Sequence, residues 1–167
     1  MPARQRRYFL KDKETKALLT KITEKLKINT EQLFKDKTNF EIVEADFGDV
    51  FLVNGKPLMF KTGQEVYPTL AFEKFLTMAP RVVVDMGAIP YVCKGANIMA
   101  PGIRRLEGEF GKGDIVLIVD EKHGKTLALG ESLQSSEEAK NIKQGPIIKN
   151  LHFVSDKVWS YIKQFIN

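Results

Sequence analysis

The chain has 167 residues, enough for one large domain or two small ones. Hydrophobic residues make up 43% and charged residues 28%, as in a globule, and no apolar run nears the ~20 residues of a membrane-spanning helix. Cys93 is the only cysteine, which excludes an internal disulfide and a cysteine-rich zinc site and suits a reducing, cytoplasmic setting.

The net charge of +5 suits an anionic partner such as nucleic acid, and its distribution says more than its total. Residues 1–27 carry nine Lys/Arg against three acids, and residues 28–77 carry five against eight. Residues 86–106 hold Lys94, Arg104 and Arg105 with no acid, and residues 107–138 hold three bases against eight acids. Residues 139–155 hold Lys140, Lys143 and Lys149, again without an acid. The basic charge is segregated rather than interspersed as on a plain solubility surface. The basic start, Met1 to Arg7, is followed by no apolar stretch or cleavage site, so no signal peptide is expected.

Arg7 to Leu10 reads as a strand. Asp12 is placed to cap a helix from about Lys13, with Leu18, Leu19, Ile22 and Leu26 as its apolar stripe. The lysines near its other face could meet RNA or water. Asn29-Thr30 caps a short helix over residues 31–35. Three strands follow, at residues 41–45, 49–53 and 58–61. Asn54-Gly55 joins the last two, a strong hairpin signal because a type I′ turn needs φ > 0 twice. Pro68 reads as the first-turn proline of a helix over residues 69–78, and Ala79-Pro80 then breaks the chain. The expected domains are therefore residues 1–78 and 79–167.

Arg81 to Asp85 is a β-branched run and reads as a buried strand. Residues 87–94 fit a short helix that Gly95 would terminate. A shaped loop follows, Lys94-Gly95-Ala96-Asn97-Ile98-Met99-Ala100-Pro101-Gly102, running into a strand at Ile103-Arg104-Arg105. Its glycines permit unusual dihedrals or close backbone approach, and Pro101 fixes its own φ. Further strands are expected at residues 115–119, 126–129 and 147–153, with a polar loop or helical turn at 135–140. Asp156 should cap a last helix with Val158, Trp159, Ile162 and Phe165 on one face. Short strands with glycine turns describe a small β barrel-like domain.

Several of these stretches, in this order, carry a resemblance. They are Arg81 to Ala88, Gly95 to Ile103, Gly113-Asp114-Ile115-Val116, Ala128-Leu129-Gly130, Gly145, and His152-Phe153 with Asp156 and Trp159. Residues 79–159 thereby resemble a PUA domain, the module named for pseudouridine synthases and archaeosine transglycosylases. The resemblance implies a mixed β pseudobarrel that binds structured RNA. Over its whole length the chain is similar to the malignant T-cell-amplified sequence proteins, to the N-terminal part of ligatin and to stand-alone archaeal relatives. That similarity implies an α+β fold: a small N-terminal α/β domain, then the PUA pseudobarrel with a terminal helix. It further implies a factor that meets the small ribosomal subunit or tRNA. Eukaryotic members use a density-regulated-protein partner, so a protein partner for the N-terminal domain stays open.

The implied RNA surface comprises the short helix, the glycine loop, the next strand and part of a late strand. On this chain those are Tyr91, Lys94, Gly95, Ala96, Asn97, Pro101, Gly102, Ile103, Arg104 and Arg105, with Lys149, Asn150 and His152. They coincide with the two acid-free stretches. Each has a plainer alternative. Lys94, Arg104 and Arg105 could hold phosphates or be surface charge. Tyr91 could stack on a base or fill the core. Asn97 could read a base edge or brace the loop. His152 could touch phosphate or be a buried structural histidine. Ile98 and Met99 read as core, and Trp159 as an anchor for the last helix.

Catalysis has little support. His123 and His152 are the only histidines and have no metal-ligand spacing. Gly124-Lys125-Thr126 imitates a P-loop ending, but Val119 stands where the motif needs glycine. Gly108, Gly111 and Gly113 have the wrong spacing for a dinucleotide loop, and Asp85 has no placed partner. A modifying enzyme would need a catalytic domain larger than residues 1–78. The expectation is a binding protein with no enzymatic activity, cofactor or metal: a translation-associated factor, an accessory subunit of an RNA-modifying enzyme, or a protein–protein adaptor.

Overall fold

The computed structural model describes residues 6–34 and 37–165, so the expectations for Met1 to Gln5 and Lys35 lie outside the described residues. The chain forms two compact units. The first joins Met1–Lys74 with Tyr161–Asn167, and the second is Phe75–Ser160. This differs from a simple cut after residue 78, because the end of the last helix packs with the N-terminal unit. The Tyr161 ring meets Phe47 edge-on at 6.0 Å and stands 5.4 Å from the Phe165 ring.

The first unit is an antiparallel meander of β1 (Arg6–Phe9), β2 (Phe40–Ala45), β3 (Gly48–Val53), β4 (Lys56–Thr62) and β5 (Glu65–Pro68), in that spatial order. Between β1 and β2 lie α1 (Asp12–Leu26) and α2 (Thr30–Leu33). Leu18, Ile22 and Leu26 are the buried stripe of α1. Its N-cap is Lys11 rather than Asp12, and the Glu14 carboxylate accepts the Lys11 N–H at 3.1 Å. Asn29 caps α2 by accepting from the N–H groups of Glu31 and Gln32. The Asn54-Gly55 turn forms between β3 and β4 with φ of 50° and 82°, as its chemistry dictates.

The expected helix over residues 69–78 forms only in its second part, and residues 69–72 are turn. Pro68 closes β5 opposite Met59, and α3 begins only at Glu73 (Glu73–Met78). Thr69 explains the delay. Its buried hydroxyl donates to Pro57 O at 2.6 Å and accepts the Ala71 N–H at 3.1 Å, so the backbone turns before it can wind.

The second unit contains β6 (Arg81–Val84), α4 (Ile89–Val92), β7 (Ile98–Met99), β8 (Ile103–Glu107), β9 (Ile115–Asp120), β10 (Thr126–Ser132), α5 (Ser136–Ala139) and β11 (Pro146–Phe153). The sheet order is β7-β11-β10-β9-β6-β8, with β6 and β9 parallel and every other pair antiparallel. The two edge strands, β7 and β8, are consecutive in the chain and joined by only the 3₁₀ turn Ala100–Gly102. Three residues bring those edges together only if the sheet curls round on itself. β9 is buried along its whole length, and Val82, Val84, Ile98, Val116, Ile118 and Ile148 fill the interior.

The chain then enters α6 (Lys157–Ile162). Val158, Tyr161 and Ile162 are its buried positions, whereas Trp159 is half-buried and Phe165 exposed, so Trp159 is not the core anchor. Among the described residues no helix is long and apolar enough to cross a membrane.

Candidate nucleic-acid interface

The loop begins on a short, well-terminated helix. Asp85 starts it by accepting the Ala88 N–H at 2.9 Å, and a 3₁₀ turn over Met86–Ala88 leads into α4. At the far end Gly95 takes φ +96°. Its N–H bonds to Val92 O and the Ala96 N–H to Tyr91 O, the paired bonds of a Schellman ending. A side chain at Gly95 would also press on Phe153, since an added Cβ would lie 3.0 Å from the ring. Gly95 is therefore required by the fold itself. Gly102 differs: its φ is not in the left-handed region, and a Cβ there would meet only Ala88 at an ordinary 3.5 Å.

Beyond the helix ending, Asn97 braces the loop. Its Oδ1 accepts the Asn150 N–H at 3.0 Å. Asn150 answers from β11, donating Nδ2 to Val92 O and Ala96 O at 3.0 Å each. The Asn150 Oδ1 is buried and meets no hydrogen-bond partner. Ile98 is buried below the loop, whereas Met99 is 47% exposed rather than core.

Tyr91 is 68% exposed on α4, which excludes core packing and leaves its ring open to a stacking partner. Lys94, Ala96, Asn97 and Pro101 are exposed, and Gly95, Gly102 and Ile103 are half-buried. Lys94 and Lys149 are exposed and form no ion pair among the described residues.

Arg104 and Arg105 are exposed but not alone. Arg104 is the extra residue of a bulge in β8, since Arg105 pairs with Val83 and Ile103 with Val84. Its Nε donates to Glu121 at 2.9 Å, and Arg105 Nε donates to Glu107 at 3.1 Å. The acid-free stretch is thus not acid-free in space. Such exposed pairs are weak, and each uses only one of five guanidinium donors.

His152 leaves the candidate surface. It is fully buried, with Nδ1 2.8 Å from Asp156 Oδ2. The same carboxylate accepts the Phe153 N–H at 2.9 Å and the Trp159 N–H at 2.6 Å, so Asp156 caps α6 as expected. Burial alone would raise the Asp156 pKa. The His152 hydrogen bond and charge, with the Trp159 and Phe153 N–H groups, outweigh it and hold the carboxyl below its ordinary value.

Sequence reasoning also missed Asp120 at the end of β9. It is buried, and its carboxylate accepts the N–H groups of Lys122, His123 and Lys125, folding the hairpin that carries Glu121. The N–H of His123 does most to hold its pKa low, against some desolvation. The clue was Asp120 just before a His-Gly-Lys turn, a common setting for an Asx-type bond.

Two family descriptions match the chain. Residues 80–154 match the PUA domain, and residues 6–73 match a domain of unknown function, DUF1947. An uncharacterized protein of Methanocaldococcus jannaschii, MJ1432, is 38% identical over 161 residues, covering 94% of this chain and 97% of that one. Translation machinery-associated protein 20 of Saccharomyces cerevisiae is 33% identical, over 87% of this chain and 85% of its own. Malignant T-cell-amplified sequence 1 of Rattus norvegicus is 33% identical, over 77% and 74%. Among solved structures, hypothetical protein PH0734.1 of Pyrococcus horikoshii superposes with a TM-score of 0.77 at 28% identity, covering 94% of this chain and 99% of that one. A PUA domain protein of Aeropyrum pernix, APE0525, reaches 0.83 at 24% identity over 96% and 92%, a likeness of fold. With its DUF1947 match ahead of its PUA match, the chain belongs to the family of the malignant T-cell-amplified sequence and translation machinery-associated 20 proteins.

Proposed function

We propose that this protein is a non-enzymatic RNA-binding factor of the translation machinery, working in the cytoplasm on the small ribosomal subunit, on tRNA or on both. The observation that carries the reading is the braced loop. Its backbone is tied down at Gly95 and Ala96 and its Asn97 side chain is held by Asn150, while Tyr91, Lys94 and Pro101 on and beside it are exposed. A fixed loop offering an aromatic face, a cation and bare backbone suits structured RNA, which is recognised by stacking and by phosphate contact. Lys149, Arg104 and Arg105 add positive charge on the neighbouring strands. The name of the yeast relative supports the link to translation.

Co-sedimentation with ribosomal subunits tests the proposal. The protein should travel with the small subunit at low salt and leave it as salt rises. Lys94→Ala with Lys149→Ala should weaken that association without unfolding the protein. Binding to purified tRNA but not to subunits would narrow the role to tRNA. Absence of any RNA affinity at low salt, with a protein partner recovered through the same basic residues, would replace the reading with that of an adaptor.

A further inference from the structure

We propose that Asn150 is a positioning residue: it makes no RNA contact itself but holds the loop over residues 92–97 in its binding shape. This rests on the RNA-binding reading above. Three observations carry it.

The first is the clamp. Two N–H donors of one short side chain reach two carbonyls on either side of Gly95, those of Val92 and Ala96. The backbone N–H of Asn150 bonds back to Asn97 Oδ1. β7 pairs with β11 only at Ile98 and Met99, so past that point the Asn97 side chain takes the place of a strand partner. The loop is thereby tied to β11 at three places.

The second is how Asn150 is aimed. β10 and β11 slip register here: Leu129 faces His152 while Gly130 faces Asn150, leaving Leu151 as an extra residue. A bulge of this kind re-aims a neighbouring side chain. Gly130 permits it, because a Cβ there would collide with Lys149 O and the Ile148 side chain.

The third is the leftover acceptor. Asn150 Oδ1 is buried and unpartnered. Turning the amide over would set that oxygen against two carbonyls, so the site uses the N–H groups and tolerates the idle oxygen. Among short side chains only asparagine offers two such donors. Aspartate, of the same shape, offers none when ionised.

The experiment measures four quantities on the whole chain: affinity for unfractionated tRNA, the salt dependence of that affinity, exchange of the Gly95 and Ala96 amides without RNA, and the unfolding midpoint. Asn150→Ala should weaken binding on the order of tenfold, the scale of losing about 1.4 kcal/mol of hydrogen bonding. The log–log salt slope should stay unchanged, because no phosphate contact is removed. The two loop amides should exchange faster while those of β9 keep their protection. Asn150→Asp should do the same or worse. Should Asn150→Ala unfold, Asn97→Ala deletes one of the three ties and should give a smaller loss with the same unchanged slope. A residue serving the fold alone would lower the unfolding midpoint and leave affinity well below it untouched.

A variant that binds like the parent overturns the proposal. So does a loss of affinity with a reduced salt slope or with unaltered loop exchange, since either marks a direct contact. Failure of the RNA reading is separate and is seen first: the parent itself would bind no tRNA and no ribosomal RNA fragment, and the proposal would fall with it.

Discussion

The buried His152 ring meets the half-buried Asp156 carboxylate, Nδ1 to Oδ2 at 2.8 Å, four residues apart across the junction of β11 and α6. The relationship turns a residue of the proposed RNA surface into an internal strut. Asp156→Ala removes a helix cap and leaves the His152 ring without this partner. The expected loss is about 1–3 kcal/mol, read as a lowered denaturant midpoint with an unchanged salt slope of RNA binding. A change in the slope would return His152 to the RNA surface.

Acid should destabilise the second unit through two carboxylates. Asp156 and Asp120 both titrate below their ordinary range in the folded chain. Each contributes stability that is complete above its unfolded pKa of about 3.9 and lost as pH falls through its lower folded value. Thermal midpoints should therefore be flat down to about pH 5 and fall steeply below about pH 4. Asp120→Asn and Asp156→Asn should each flatten that acid limb. An unchanged limb in both variants would assign acid sensitivity to other groups.

Gly95 and Gly102 should part company under substitution. Alanine at Gly95 meets both a left-handed φ and the Phe153 ring, and should cost about 1–3 kcal/mol. Alanine at Gly102 finds ordinary contact and should leave the unfolding midpoint within roughly 0.5 kcal/mol. If RNA backbone approaches there, Gly102→Ala should nonetheless weaken tRNA binding. Full affinity in that folded variant would place the RNA elsewhere.

Arg104 and Arg105 predict effects of opposite sign from one surface. Replacing both with alanine should weaken RNA binding and lower the salt slope by roughly 0.7 for each phosphate left without its arginine. Stability should barely move, since exposed ion pairs contribute little. Glu107→Gln with Glu121→Gln frees the same guanidinium groups and should tighten binding at low salt. Lys112→Ala with Lys140→Ala removes equal charge from exposed residues at the Gly111–Asp114 turn and beside it, outside the candidate loop and strands, and serves as the control. Equal weakening in the control would mean that only net charge matters.

In the first unit, Gly55→Val forces a β-branched residue to a φ near 82° and should cost about 1–3 kcal/mol in equilibrium unfolding. An added Cβ there meets nothing within 4 Å, so a measured cost comes from the backbone alone.

What the sequence revealed depended on how local the cause was. The Asn54-Gly55 hairpin, the Arg81–Val84 strand and the Gly95 helix ending are set by residues beside one another. Pro68 misled because proline is equally at home opening a helix and closing an edge strand, and a hydroxyl bond from Thr69 to Pro57 decided it. The loop residues were legible by motif, and Asn97 showed its bracing role only once Asn150, 53 positions away, lay beside it. Glu121 reaches Arg104 across 17 positions for the same reason: a count of charges along the chain does not see across a barrel. The return of Tyr161 to the first unit left no trace that periodicity could catch, because the apolar stripe of α6 looks alike whichever core it enters.

That return has a consequence for synthesis. Residues leave the ribosome in order, and domains commonly complete themselves in that order. Here the second unit, Phe75–Ser160, has all its chain before the first has received Tyr161 and the residues after it. The unit encoded first is therefore finished after the second, and its nascent sheet waits, with Phe47 uncovered by Tyr161, until residue 161 has been made.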